Sequence, residues 1–259
     1  MPASAPPLPV AFFGHGTPMN ALETNRYSAA WREFGASVAA PRAVLMVSAH
    51  WFTRGAAVTS MPSPRTIHDF GGFPDELFAM QYPAPGDPAL ARRVVELVDD
   101  LPVALDDSWG LDHGTWSVLV HVFPGADVPV VQLSIDGTKP AAWHWDLARR
   151  LDPLRDEGVL ILGSGNITHN FRELDPGAAE PAVWAADFDA RIWQAVRDHD
   201  RAPLVDYLDL PDGRRAAPTA DHYLPLVYVA ALARPGESAH EIVSGMDLGS
   251  FSMRSFSIS

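Results

Sequence analysis

The stretch Leu8–Pro18, LPVAFFGHGTP, sets the reading of the whole chain. Leu8–Phe13 is a nearly continuous apolar run that stops at Gly14-His15-Gly16. A short run with no polar side suits a strand buried on both faces of a parallel sheet. Ala43–Ser48, Val128–Ser134 and Val159–Gly163 have the same character. Helix-period segments lie between and after these runs. Thr24–Ala39 brings Tyr27, Trp31 and Phe34 onto one face, while Pro88–Asp100, Pro140–Arg155 and Pro181–Asp198 each open on a proline suited to a first helical turn. The alternating tail Ser250–Ser259 reads as an edge strand. Strand–helix alternation predicts an α/β fold: a single domain, spanning residues 1–259, with a central, mostly parallel sheet flanked by helices on both faces.

In such sheets ligands bind beyond the carboxyl ends of the strands. The first run delivers His15 there, the second delivers His50, and Val159–Gly163 leads through Ser164-Gly165-Asn166 to His169. His222, in Asp221-His222-Tyr223-Leu224-Pro225, stands at the head of a helix expected to continue to Ala233, and His113 is bracketed by Gly110 and Gly114. A lone histidine is usually structural, but strand ends that share one sheet edge can bring distant histidines together. Neutral imidazole suits zinc, iron, copper and nickel. Asp69, Asp112 and Asp221 each adjoin a histidine and are candidates for orienting a ring or for ligation, unless they are plain solvated acids. Among the tryptophans, Trp31, Trp143, Trp145, Trp184 and Trp193 fall in helix-period segments and read as core, whereas Trp51 and Trp116 are the better pocket candidates.

Composition narrows the function. Lys and Arg number 19 against 32 Asp and Glu, a formal charge of −13, which disfavours nucleic acid and anionic membrane surfaces as partners. With 0 Cys there is no disulfide framework, thiolate metal site or cysteine nucleophile. The opening MPASAPPLPVAFF lacks the basic and long apolar regions of a signal peptide, and no apolar run approaches a bilayer span, so a cytoplasmic location is expected. Asp69-Phe70-Gly71 has the kinase tripeptide without the other kinase motifs, and Gly163-Ser164-Gly165 lacks the spacing of a nucleophile elbow. No dinucleotide fingerprint or P-loop is present, so a nicotinamide or flavin has no support.

Eight segments in order, FFGHGTPMNAL, VSAHWFTRG, TIHDFGGFP, YPAPGDPALA, GLDHGTWSVL, VQLSID, GSGNITHN and DHYLPLVYV, together resemble the DOPA 4,5-dioxygenase (extradiol) family, within the class III extradiol ring-cleavage dioxygenases. The resemblance runs from about Phe12 to near the C-terminus. It implies a mononuclear metal site and O2-dependent opening of a catechol ring to a muconic semialdehyde. It implies His15, His50 and His222 as metal ligands, and His169 as the acid–base group and possible fourth ligand. It implies His113 as a contact to the substrate. Fe(II) is the metal expected for ring cleavage, and Zn(II) the metal expected on the purified protein. A small catechol and O2 are the expected partners, with the chain a monomer or homodimer.

Two features set this chain apart. A common non-haem iron site uses two histidines and a carboxylate. Here the third position falls on His222. Asn170 follows the histidine of GSGNITHN, where plant pigment-forming relatives differ, which directs the expectation to the bacterial-type branch. Zinc has no redox chemistry. A zinc-dependent hydrolase, and a catalytically silent metal-binding protein on the same fold, are therefore the alternatives.

Overall fold

A computed structural model describes residues 6–259. Its strands are β1 (Val10–Gly14), β2 (Ala43–Thr53), β3 (Ala56–Thr59), β4 (Val103–Asp106), β5 (Val130–Asp136), β6 (Val159–Gly165), β7 (Ala239–Val243), β8 (Met246–Asp247), β9 (Phe251–Ser252) and β10 (Ser255–Ile258). Eight of them form one sheet in the order β4-β3-β5-β2-β6-β1-β10-β7, and β8 pairs with β9 separately. The centre is parallel: β2 pairs with β5 and β6, and β6 pairs with β1. Antiparallel pairings flank it, at β3–β5, β1–β10 and β10–β7.

The apolar runs alternate between two cores because successive strand side chains point to opposite faces. Val10 and Phe12, Leu45 and Val47, and Val159 and Ile161 face one core, which the helices Pro88–Leu97, Ala141–Arg150, Val183–Arg197 and Leu224–Ala231 complete. Ala11 and Phe13, Val44 and Met46, and Leu160 and Leu162 face the other, closed by Arg26–Ser37 and His113–Val122. The fold is therefore α/β with helices on both faces of a mostly parallel sheet.

Two local readings need correction. The tail strand β10 is not an edge: it lies between β1 and β7, and β7 is the edge strand. Pro140–Arg155 is two helices, Ala141–Arg150 and Pro153–Asp156, since a proline has no N–H to carry the first helix onward. The segment around His113, not among the helix-period segments, starts the helix His113–Val122, with Asp112 as its N-cap accepting from the Thr115 N–H. Among the described residues no helix is long and apolar enough to cross a membrane.

His144 is buried between the Tyr228 hydroxyl at 2.9 Å and the Asp136 carbonyl at 3.2 Å. Burial pushes its pKa down to about 4, the Asp136 carbonyl opposing the shift. The unfolded chain thus binds a proton at His144 more readily than the folded one. Its contribution to stability is complete above about pH 6.5 and falls as pH drops toward 4, a loss of about 3 kcal/mol at pH 4. His144→Gln should remove that share of the acid dependence. Urea unfolding of both proteins at pH 7.5 and pH 4 checks it.

Candidate metal centre

The parallel register decides the site. Gly14 of β1 sits opposite Gly165 of β6, and Ser48 of β2 opposite Ser164. The ends of β1, β2 and β6 therefore open on one edge of the sheet. His15 follows β1 directly and its N–H donates to the Gly165 carbonyl. His50 lies within β2, which is longer than the apolar run suggests. Between Val47 and Phe52 the register with β5 shifts by several residues, and this irregular stretch carries His50 to the edge. His222 precedes the helix Leu224–Ala231, and its carbonyl accepts from the Asn166 N–H just past β6.

Glycine makes this crossing possible at two positions. A Cβ at Gly165 would collide with the His222 carbonyl, and Gly16, at φ 59°, occupies left-handed backbone with the Met253 sulfur against it. Gly165→Ala should push His222 away from β6 and cost about 1–3 kcal/mol by overpacking. A urea denaturation midpoint unchanged from wild type would refute that close approach.

His15, His50 and His222 bring one potential ligand atom each within 4.8 Å of one another. Each ring has an oxygen beside its Nδ1. The Ser164 hydroxyl donates to the Gly114 carbonyl at 2.6 Å, so at 2.9 Å from His15 Nδ1 it accepts. That fixes the proton of a neutral His15 on Nδ1 and leaves a lone pair on Nε2. His222 Nδ1 donates to Asp221 at 2.8 Å. His50 Nδ1 lies 3.3 Å from Asp69 Oδ2. His15 Nε2 and His50 Nε2 face each other at 3.1 Å. Two lone pairs at that distance repel unless a proton or cation lies between them. Three imidazoles, each backed on its outer nitrogen by an oxygen, are the donor set of a divalent metal, and the residues present fit one.

The electrostatics of His15 and His222 agree with neutral, lone-pair-bearing rings. Burial lowers the pKa of His15 well below 6.5, and neighbouring His50 adds to the shift. Burial also lowers His222, to about 4, against the opposing pull of Asp221. At His50 burial acts downward too, but Asp69, Asp112 and Asp221 outweigh it and the net shift is upward. Burial would raise Asp69, yet the His113 and His50 rings hold it well below the usual carboxylate range.

His169 and His113 complete the cleft. The His169 ring lies flat on His222, with centroids 3.5 Å apart and planes 4° apart, and Phe251 packs against it at 4.4 Å. Packing holds it, where hydrogen-bond or charge partners hold the other rings. Burial, then the charge of His222, lowers its pKa to about 2. Among the described residues His169 belongs to neither group of clustered ligand atoms, whereas His113 forms the second group with His50 and Asp69. The His113 N–H donates to Asp69 Oδ1 at 2.9 Å. His113 Nδ1 lies 3.0 Å from the same oxygen but off the line of a hydrogen bond.

The three acidic candidates separate. Asp221 backs His222, and Asp69 bridges the His50 and His113 rings. Asp112, next to His113 in sequence, points elsewhere: its buried carboxylate accepts from Ser48 and Gln132, each at 2.6 Å, and from the Thr115 N–H. It ties the head of the helix His113–Val122 to β2 and β5. Trp51 and Trp116 do not line the cavity. Trp51 stacks on Trp109 at 5.7 Å, and Trp116 is buried with its Nε1 donating to the Ile67 carbonyl. The histidines open instead into a cavity of about 420 Å³ whose aromatic lining is Phe70, Phe73, Phe171 and Phe251. Sequence reasoning missed these four. The signal was the proximity of Phe70 and Phe73 to Asp69 and of Phe171 to His169.

An imidazole-walled metal site at the carboxyl edge of a mostly parallel sheet, below an apolar mouth, defines a metal-dependent α/β enzyme centre. The chain belongs to the family of the catalytic LigB subunit of aromatic ring-opening dioxygenase, whose model matches residues 7–254. It is similar to a 4,5-DOPA dioxygenase extradiol of Escherichia coli (strain K12), 49% identical over 97% of this chain and 94% of the relative. The 4,5-DOPA dioxygenase extradiol of Beta vulgaris is 36% identical over 95% of this chain and 94% of its own. Among solved structures, that of an uncharacterized protein from Escherichia coli K12 superposes with a TM-score of 0.86 at 44% identity, covering 97% of this chain and 100% of that one. Family and relatives make the chain an oxidoreductase of the aromatic ring-cleaving, extradiol class.

Proposed function

We propose that this chain, as one catalytic domain over residues 1–259, opens the ring of a small catechol beside its hydroxyl pair with O2, giving a muconic semialdehyde. The observation that carries this reading is the convergence of His15, His50 and His222, with ligand atoms within 4.8 Å of one another. In this account those three residues hold one divalent metal. Fe(II), when bound there, supplies a redox-active centre with room for catechol and O2, which Zn(II) does not. Iron is the metal of turnover and zinc the one retained on purification. All four electrons that O2 takes up come from the catechol and both oxygen atoms enter the product, so no nicotinamide or flavin is needed.

Burial and His222 hold the His169 pKa down in the substrate-free cleft; the negative charge of a bound catecholate raises it, so that His169 takes the proton the catechol hydroxyl gives up on binding and returns it as the ring opens. Its support is its position: it lines the cavity, stacks on His222 and has no hydrogen-bonding tether like that of His15 or His222. His113, poised by Asp69, steadies a substrate oxygen. Phe251 and Phe171 pack on His169 and keep bulk water from that ring. The lack of any membrane-crossing helix among the described residues and the 0 cysteines favour a cytoplasmic location. A monomer or homodimer acting without macromolecular partners completes the reading.

Metal-free protein reconstituted without O2, with Fe(II) or with Zn(II), should open a catechol on admission of O2 only in the iron form, seen as growth of the semialdehyde absorbance. Turnover by the zinc form without O2 would instead establish a hydrolase. His15→Ala, His50→Ala and His222→Ala should lose metal and activity together. His169→Ala should keep most of its metal while kcat falls by about 10²–10⁴, the usual share of a general acid–base group. Ser164→Ala, which frees the His15 tautomer, should weaken zinc affinity about 10–100-fold in a chelator competition.

A further inference from the structure

The hairpin between β8 and β9 carries a backbone outlier at the mouth of the cavity. Its turn, Asp247–Ser250, closes with the Ser250 N–H donating to the Asp247 carbonyl at 3.2 Å. Both central residues have positive φ, 51° at Leu248 and 77° at Gly249. That is the signature of a type I′ turn, whose first central position favours Asn, Asp or Gly. A leucine there crowds its Cβ against the following carbonyl. Among the described residues Ala126, His199 and Asp212 are the other non-glycines at positive φ, and none of them lines the cavity of the histidines. Leu248 does.

The surroundings hold the turn without help from the leucine side chain. The Leu248 carbonyl accepts from the Asp175 N–H at 2.9 Å, and the Gly249 carbonyl from the Ala182 N–H at 2.8 Å. The Ser250 hydroxyl donates to the Glu173 carbonyl at 3.0 Å, and the Ser250 carbonyl accepts from the Thr168 hydroxyl at 2.6 Å. The turn is thereby fastened to the segment that carries His169 and Phe171. Asparagine or glycine at 248 could keep every one of these bonds. The Leu248 side chain is 39% exposed, so core burial does not offset the strain either. Strain held by the surrounding structure at a cavity mouth, with no return from packing, points to a ligand.

A catechol with its hydroxyl pair at the histidines directs a substituent para to one hydroxyl toward the mouth, where Leu248 and Phe171 stand. The first carbon of that substituent is apolar in 4-methylcatechol and in DOPA alike, whatever charge the rest of the tail carries. Resting on the proposed function, we infer that Leu248 is a specificity-determining residue, held by its left-handed backbone against the first carbon of the substrate's ring substituent. It favours substituted catechols over catechol itself, and covering one such carbon is worth about fourfold.

The test compares wild type, Leu248→Asn and Leu248→Met on catechol, 4-methylcatechol and DOPA. The readouts are kcat/KM with the iron form, Kd with the zinc form in the absence of O2, and the urea midpoint. Asparagine has nearly the shape of leucine and tolerates left-handed backbone, whereas methionine keeps an apolar side chain. Wild type and Leu248→Met should favour 4-methylcatechol over catechol by about fourfold. In Leu248→Asn that ratio, and the ratio of DOPA to catechol, should each fall by about fourfold. The urea midpoint of Leu248→Asn should rise by about 0.3–0.5 M as the strain is relieved. Ratios in Leu248→Asn equal to wild type overturn the inference and leave ring cleavage standing. A midpoint no higher than wild type, or an equal loss of ratio in Leu248→Met, also overturns it, because the leucine would then serve the turn and not the substrate. If wild type opens none of the three catechols, the proposed function falls and takes the inference with it.

Discussion

Five imidazoles meet in one cleft, and the structure depends on keeping them there as bases. Were several protonated at once, their mutual repulsion at these distances would drive the strand ends apart. The fold meets this with desolvation, while oxygen partners fix the orientation of the rings. Ser164 receives the His15 Nδ1 proton because its own hydrogen is spent on the Gly114 carbonyl. Asp221 holds His222, and one carboxylate, Asp69, serves the His50 and His113 rings together. The Nε2 atoms of His15 and His50 are thereby turned inward, 3.1 Å apart. The arrangement is poor for a protein core and suited to a cation.

Everything beneath the cleft serves that convergence. The glycines of GSG let the His222 segment lie against β6, and the buried Asp112 carboxylate draws Ser48, Gln132 and the start of the helix His113–Val122 to one point. A carboxylate buried with this many donors is strongly held, and removing one donor leaves a charge without its full set of partners. The polar and the apolar groups of the cleft are thus divided between different parts of the chain. Strand ends carry the polar groups that need exact placement. Loops carry Phe70, Phe73 and Leu248, and a short 3-10 turn opens on Phe171; together they supply apolar lining.

Much of this was legible in the sequence, for definable reasons. The four parallel strands announced themselves because strands covered on both faces leave no position for a polar residue. Ligand placement at strand ends followed from topology, which is why His15, His50 and His169 could be grouped before any geometry was known. What failed had equally physical causes. Trp51 was judged by its nearness to His50, but neighbouring strand residues point to opposite sides, and Trp51 stacks on Trp109 away from the cleft. The helix that begins at His113 is absent from the helix-period segments because flanking glycines hide its signal in Asp112-His113-Gly114-Thr115, where Asp112 caps the Thr115 N–H. The pairing of β10 with β1, near opposite ends of the chain, has no local trace in the sequence. Short β3 and β4, four residues each, carry too little pattern to stand out from turns.

The central claim is that His15, His50 and His222, and not His169, hold the metal. X-ray absorption at the metal edge of zinc-loaded wild type and His169→Ala tests it most directly, since imidazole rings give a recognisable outer-shell scattering signature. The account predicts three imidazoles on the metal in both proteins, with oxygen completing the shell. Loss of one imidazole in His169→Ala would contradict it and make His169 a ligand rather than the group that moves the proton.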